Sequence, residues 1–167
     1  AQSEEFLKLS DEMAKKIVAE HPKLNLFITL GQGINYGIAN ECMNKMKEMS
    51  LSNSEAYYSL EYRHGPMSLV DENTMIILLS NEETVDGDVK LMTQMKEYGA
   101  TILAIGNNAS ENFKDVDYTL DMPYGYDSLQ NAAMIGFIGQ TMGYYLAEKK
   151  GLNADTPRHL SQAIVIK

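Results

Sequence analysis

The chain has 167 residues, of which 14 are basic and 23 acidic, for a formal net charge of −9. The length is typical of one domain with its own core. Because the charge repels phosphate backbones and no basic stripe offsets it, nucleic acid is not expected as a partner. The single cysteine, Cys42, excludes an intramolecular disulfide and a cysteine-based metal cluster, and favours a reducing, cytoplasmic setting. The apolar runs are too short to span a membrane, and the N-terminus is not that of a signal peptide.

The apolar pattern predicts helices that alternate with short buried strands. Strands separated by helices of this length form a parallel sheet that is covered on both faces. Ligands bind such sheets at the carboxyl ends of the strands, so the loops after Leu30, Leu79 and Ile105 are the informative ones. In chain order we predict a helix over 3–20 with Ser3 as its N-cap, a strand over 26–30, a helix over 36–49, a strand over 74–79, a helix over 84–98, a strand over 101–105, a weaker strand over 116–120 and a helix over 128–149.

The turn after the first strand is a candidate ligand site. Gly31, Gln32 and Gly33 bring the backbone close to the start of the next helix, beside Asn35. Such a turn can cradle an anion or a sugar, or it can be only a tight strand-to-helix connection. A dinucleotide is disfavoured, because the bulky Tyr36 stands where the dinucleotide fingerprint requires Gly.

The next helix carries charged residues on one flank. Glu41, Lys45 and Glu48 follow each other at helical spacing. They can form a solvated salt-bridge ladder, which contributes a few tenths of a kcal/mol per pair. Alternatively, Glu48 can be a proton-transferring carboxylate whose pKa is tuned by the ammonium group three residues earlier.

The most polar stretch of the chain covers residues 54–66. It contains His64, followed by a Gly-Pro pair that forces a turn, with Glu55 and Glu61 nearby in sequence. A histidine in such a turn is usually structural, but His64 can also act as a proton shuttle near neutral pH. His21 and His159 are expected to be structural.

Three segments resemble a known family signature. Residues 45–50 (KMKEMS), 54–57 (SEAY) and 61–66 (EYRHGP) are similar to the K-x-K-E-x-S…E-A-Y…E-x-x-H-G-P pattern of sugar isomerase (SIS) domains. More narrowly, they resemble the C-terminal SIS domain of the glucosamine-6-phosphate synthase isomerase half, of amino-sugar-phosphate deaminase/isomerases and of fructosamine-6-phosphate deglycases. The resemblance continues through residues 74–80 and 98–106, and residues 157–162 (PRHLSQ) resemble the P-R-x-L-x-K tail of the synthase.

The resemblance implies an α/β fold, a three-layer αβα sandwich with a five-stranded parallel sheet of the flavodoxin-like nucleotide-binding type. It implies that residues 1–167 are a single SIS domain, the C-terminal half of a two-SIS-domain protein. The implied ligand is a sugar phosphate of the fructose-6-phosphate or glucosamine-6-phosphate type. The site is completed by a homodimer or by pairing with another SIS domain. No cofactor, metal, nucleic acid or membrane is implied.

Roles for individual residues also follow from the resemblance. The glutamate that matches Glu48 moves a proton between C1 and C2 of the sugar, and the residue that matches Lys45 lines the same pocket. The histidine that matches His64 opens the sugar ring and reaches the site from the neighbouring subunit. An imidazole and a carboxylate together supply the acid and base that ketose–aldose interconversion needs. The residues assigned to substrate binding are Gly31, Gln32, Gly33, Asn35, Glu55, Ser161 and Gln162.

The chain departs from the family pattern at three places, and these departures narrow the range of expected activities. The tail lysine of the synthase is Gln162 here, and an amide is neither a base nor a Schiff-base former, which favours an isomerase, deaminase or deglycase. The loop that would hold phosphate carries Glu82 and Glu83, so another SIS domain is expected to bind the phosphate. Cys42 lies in mid-helix, so no glutaminase activity is expected. The competing hypotheses are a non-catalytic SIS module that binds a sugar phosphate as a regulatory signal, and a structural dimerisation half.

Overall fold

In a computed structural model that describes residues 2–123 and 128–160, the chain forms a five-stranded parallel sheet flanked by helices. Two short 3₁₀ turns, Glu61–His64 and Pro66–Leu69, follow the second strand. The elements are α1 (Gln2–Glu20), β1 (Leu26–Gly31), α2 (Ile34–Ser50), β2 (Asn53–Tyr58), β3 (Thr74–Leu79), α3 (Val85–Glu97), β4 (Thr101–Gly106), α4 (Ala109–Asn112), β5 (Tyr118–Asp121) and α5 (Ser128–Lys149).

The strand order is β2-β1-β3-β4-β5, and every neighbouring pair is parallel. This is the flavodoxin-like order of doubly wound sheets, which confirms the predicted fold class. From β1 the chain moves first to one side and later to the other. The topological switch point, where such sheets bind ligands, therefore lies between β1 and β3.

Side chains alternate between two cores, one on each face of the sheet. Phe27, Met75 and Ile77 pack against α1, α2 and α5, whereas Ile28 and Ile76 pack on the opposite face with α3. β1, β3 and β4 are buried at every position, as expected of parallel strands covered on both sides. The three layers of the predicted sandwich are thus present. No helix within the described ranges is both long enough and apolar enough to cross a membrane.

Three details of the predicted secondary structure differ from the structure, and one of them is the four-residue helix α4, which was not predicted. β2 was not predicted, because it is an edge strand of polar sequence in which only Ser54 is fully buried. Ser3 is not an N-cap, because α1 begins at Gln2 and Ser3 lies inside it. The remaining predicted helices and strands are present with shifts of up to two residues at their ends.

The helices α2 and α5 pack closely through glycines. A Cβ atom at Gly139 of α5 would lie 2.5 Å from the Cα of Cys42, and one at Gly143 would lie 3.0 Å from the carbonyl oxygen of Lys45. Because α5 lacks side chains at these two positions, α2 is held against it along the half that carries Lys45 and Glu48. Burial raises the pKa of the Cys42 thiol to about 12, so this cysteine is an inert packing residue.

Candidate functional site

A cleft of about 480 Å³ opens at the carboxyl edge of the sheet, beside the switch point. It is bounded by the loops that follow β1, β3 and β4, the three loops that the sequence indicated. Its size is within the range of small-molecule sites. The residues that line it include Gln32, Gly33, Asn35, Ser80, Asn81, Glu82, Glu83, Gly106, Asn107 and Asn131.

The predicted turn forms one wall of this cleft. Gly33 has φ 58°, a left-handed conformation that favours glycine, and α2 begins directly after it without a side-chain cap. The buried Asn35 amide donates to the carbonyl oxygens of Leu79 (3.1 Å) and Ser80 (3.4 Å), which ties the start of α2 to the end of β3. Gly31 lies beneath the turn, where a Cβ would be 2.5 Å from the Asn35 carbonyl oxygen. Of the four predicted turn residues, Gln32, Gly33 and Asn35 therefore line the cleft.

The loop after β3 gives the cleft an acidic rim. Asn81 fixes the loop, since its side-chain oxygen accepts hydrogen bonds from the backbone N–H groups of Glu83 (3.0 Å) and Thr84 (3.1 Å). Glu82 and Glu83 are exposed, and Glu82 accepts a hydrogen bond from Asn107 at 3.1 Å. Two carboxylates at this position oppose the binding of a phosphate group.

Lys45 and Glu48 form an ion pair on the outer flank of α2. The Lys45 Nζ lies 3.2 Å from Glu48 and 3.5 Å from Glu41. The side chains of Lys45 and Glu48 are 29% and 31% exposed, whereas that of Glu41 is 51% exposed, so the two matched to the SIS signature are the more sheltered. The hydrogen bond with Glu48 raises the pKa of Lys45, which keeps its ammonium group charged beside the carboxylate.

Glu48 and His64 lie at opposite ends of the molecule. At about 1.5 Å per residue, α2 carries Glu48 roughly 20 Å from the helix start at the cleft. β2 then returns the chain to the carboxyl edge, where the ring of Tyr58 stacks on that of Tyr36 in the first turn of α2 at 3.9 Å. His64 follows six residues later, in an exposed turn. A single small ligand cannot contact both residues within one chain.

The turn that carries His64 is anchored by its neighbours. Tyr62 is fully buried and packs against Tyr57 with 5.4 Å between ring centroids. Gly65 has φ 147°, which lets the chain reverse directly after His64. The imidazole is thus exposed on a turn whose preceding residues are fixed in the core.

Glu55 lies on β2 and accepts a hydrogen bond from Tyr57. This bond, together with burial and the charge of Glu55, raises the pKa of Tyr57 to about 12. Tyr57 packs with the core on the α3 face of the sheet, whereas α2 covers the other face. The structure therefore separates Glu55 from Lys45 and Glu48. Ser161 and Gln162 lie outside the described residues.

A buried carboxylate that the sequence did not indicate connects the His64 turn with the cleft. Asp88 of α3 is 1% exposed and accepts hydrogen bonds from Thr84 (2.8 Å) and Ser80 (3.2 Å). Burial raises the pKa of Asp88, while the nearby hydroxyl groups, including Ser59, and the charge of Arg63 act against the rise. No motif pointed to Asp88, because only the tertiary structure brings α3 against the turn.

The other histidines are structural or exposed. The Nε2 of His21 lies 2.8 Å from the hydroxyl of Tyr118, which itself donates to Glu20. This network joins the end of α1 to the start of β5, as expected for a structural histidine. His159 is exposed in the C-terminal segment.

Comparison with known proteins agrees with this architecture. The SIS domain family matches residues 24–149. Glutamine–fructose-6-phosphate aminotransferase (isomerizing) of Clostridium tetani is 32% identical over 162 residues, which cover 95% of this chain and 26% of that protein. The corresponding protein of Buchnera aphidicola is 31% identical and is likewise covered to 26%. The chain thus spans about a quarter of the length of these relatives.

Solved structures give the same assignment. Glucosamine-6-phosphate deaminase from Thermotoga maritima superposes with a TM-score of 0.82 at 29% identity, over 98% of this chain and 47% of that one. The C-terminal domain of glucosamine-fructose-6-phosphate aminotransferase from Francisella tularensis superposes with a TM-score of 0.76 at 26% identity, over 93% of this chain and 43% of that one. The fold and the site define a doubly wound α/β domain with a cleft at the switch point. The chain belongs to the SIS domain family.

Proposed function

We propose that this SIS domain is the catalytic C-terminal half of a cytoplasmic two-SIS-domain enzyme that isomerises, deaminates or deglycates a sugar phosphate. The substrate would be of the fructose-6-phosphate or glucosamine-6-phosphate type. The observation that carries the proposal is the sheltered Lys45–Glu48 ion pair at 3.2 Å, on residues that match the SIS signature. The aminotransferase and deaminase names of the relatives support the substrate class.

Glu48 is the base in this proposal. Interconversion of an aldose and a ketose requires a carboxylate that removes a proton from one carbon and returns it to the next. The Lys45 ammonium group, 3.2 Å from the Glu48 carboxylate, holds that side chain in place, and it can also donate to the oxygen on which charge develops. These two residues supply the chemistry on one side of the site.

His64 acts in the same site but comes from another copy. Its imidazole can open the ring by moving a proton between the ring oxygen and the anomeric hydroxyl. Because His64 and Glu48 are at opposite ends of the domain, the proposal requires that two SIS domains pair. Exposed apolar side chains in the segment that carries His64 support pairing: Tyr58 is 42% exposed, Leu60 38% and Leu69 58%.

The phosphate group is held elsewhere. The acidic rim formed by Glu82 and Glu83 is unsuited to it, so the loop of a partnered SIS domain supplies the phosphate site. The regulatory and purely structural alternatives are less well supported, since the relatives named above are enzymes. A sensor or a dimerisation half would also have no use for the paired base and ammonium group.

The test is Glu48→Gln in the full-length protein that carries this chain. The amide keeps the size of the side chain but cannot accept the proton, so we expect kcat for sugar-phosphate turnover to fall by roughly 10²- to 10⁴-fold while substrate affinity changes little. Glu41→Gln is the matched control, because it also removes a carboxylate beside Lys45 but should leave kcat within about twofold. Turnover that survives in Glu48→Gln would show that the base is another residue.

A further inference from the structure

The cleft at the carboxyl edge is about 20 Å from Glu48 along α2, so the chemistry proposed above leaves it without a role. Its lining nevertheless contains buried polar atoms of the kind that bind a ligand. Asn131 of α5 is only 7% exposed, lines the cleft, and its side-chain oxygen has no hydrogen-bond partner. The side-chain oxygen of Gln32, which lines the same cleft, is also buried without a partner. Buried polar atoms are rarely left unpaired, so these two oxygens indicate a ligand that donates hydrogen bonds.

The charges around the cleft indicate what that ligand carries. Among the described residues that line it there is no lysine, arginine or histidine, whereas Glu82 and Glu83 stand at the rim. Asn81 holds the acidic loop in place, and Asn107 orients Glu82. A fixed pair of carboxylates attracts an ammonium group and repels a phosphate. The hydroxyl groups of a polyol can both donate to and accept from the amides of Gln32 and Asn131.

We propose that the cleft is a separate binding site for a small polyol that carries a protonated amine and no phosphate, such as an unphosphorylated amino sugar. The amides of Gln32 and Asn131 bind its hydroxyl groups, and Glu82 and Glu83 bind its ammonium group. The buried Asn131 makes the site specific for polar ligands. This inference does not depend on the catalytic roles of Glu48 and His64.

Isothermal titration of this chain with glucosamine, glucose and glucosamine-6-phosphate tests the proposal. Glucosamine should bind most tightly, glucose about tenfold more weakly for want of the amine, and the phosphorylated sugar more weakly than glucosamine. Asn131→Leu has nearly the same size but no polar atoms, and it should weaken glucosamine binding at least about tenfold. Glu82→Gln/Glu83→Gln should abolish the preference for glucosamine over glucose.

Glu72→Gln/Glu97→Gln is the matched control, since it removes the same charge from exposed positions at the amino edge of the sheet. It should leave the preference intact, and so should Glu48→Gln. The proposal is overturned if glucosamine-6-phosphate binds as tightly as glucosamine, or if no sugar binds. It is equally overturned if Asn131→Leu leaves glucosamine binding unchanged. None of these results bears on turnover at Glu48, so the two proposals fail separately.

Discussion

The close contact between α2 and α5 makes the clearest prediction about stability. In Gly139→Ala the new Cβ would lie 2.5 Å from the Cα of Cys42 and 2.7 Å from its Cβ and Sγ. Favourable carbon contacts are about 3.5–4.0 Å, so the helices must separate locally by roughly 1 Å. Because the obstacle is backbone and not the end of a flexible side chain, rotation cannot relieve it.

Gly139→Ala has two opposing effects on the free energy of unfolding. Overpacking a core costs about 1–3 kcal/mol, and Ala in place of Gly in a helix recovers up to about 1 kcal/mol. We expect a net loss of about 1–2 kcal/mol, which lowers the Tm of a domain this size by about 2–8 °C. Gly136→Ala is the control on the same helix, since its nearest neighbour is the Ile38 Cγ2 at 4.0 Å.

Thermal unfolding of Gly139→Ala and Gly136→Ala tests this prediction by comparing their Tm values with that of the wild type. Gly136→Ala should keep or raise the Tm, because alanine is the better helix former and meets no obstacle. Gly139→Ala should lower it. If the two variants melt at the same temperature, the close crossing of α2 and α5 described above is incorrect, and so is its role in positioning the Lys45–Glu48 half of α2.

Three further predictions concern stability. Leu51 ends α2 with φ 52°, which strains a residue other than glycine, so Leu51→Gly should raise the free energy of unfolding by about 0.5–1 kcal/mol in urea titration. An unchanged or lower value would contradict this. Lys150 donates to the Ser50 carbonyl oxygen (2.9 Å) and to the Ser52 hydroxyl (2.8 Å), so Lys150→Met should cost about 1 kcal/mol, whereas Lys149→Met should cost less. Equal losses would contradict it. Asp88, whose pKa is raised by burial, binds its proton more tightly in the folded state, so its contribution is fully present below about pH 4 and is lost as the pH rises through the folded-state pKa. Relative to Asp88→Asn, the wild type should therefore lose stability as the pH rises above about 4, and a difference that stays constant or grows in favour of the wild type with pH would refute this.

The helices and the central strands were predictable because their patterns are strong. β1, β3 and β4 are continuous apolar runs flanked by helical periods, and such runs have few other ways to be buried. The turn at Gln32 and Gly33 was also predictable as a wall of the ligand edge, because ligands gather at the carboxyl ends of parallel strands.

The separation of Glu48 and His64 could not be predicted, because it depends on β2. Its polar sequence resembles a loop, since an edge strand needs little apolar burial. Without β2, the direction of the chain between Glu48 and His64 is unknown, and so is their separation. The contributions of Asn131 and Asp88 were also invisible, because each depends on a helix packing beside a loop that is distant in sequence. Local sequence patterns predict individual helices and strands, whereas the surroundings of Asn131 and Asp88 are formed by segments that are far apart in the sequence.

In the proposed mechanism, Glu48 and His64 act in one site but come from different copies of the domain. In the full-length protein, Glu48→Gln and His64→Asn should each abolish the proposed sugar-phosphate turnover. When the two variants are co-expressed with different tags and the mixed dimer is purified, one of its two sites combines an intact Glu48 with an intact His64. We therefore expect about half of the wild-type activity per dimer. A mixed dimer as inactive as its parents would show that both residues serve the site from the same chain, which contradicts the account.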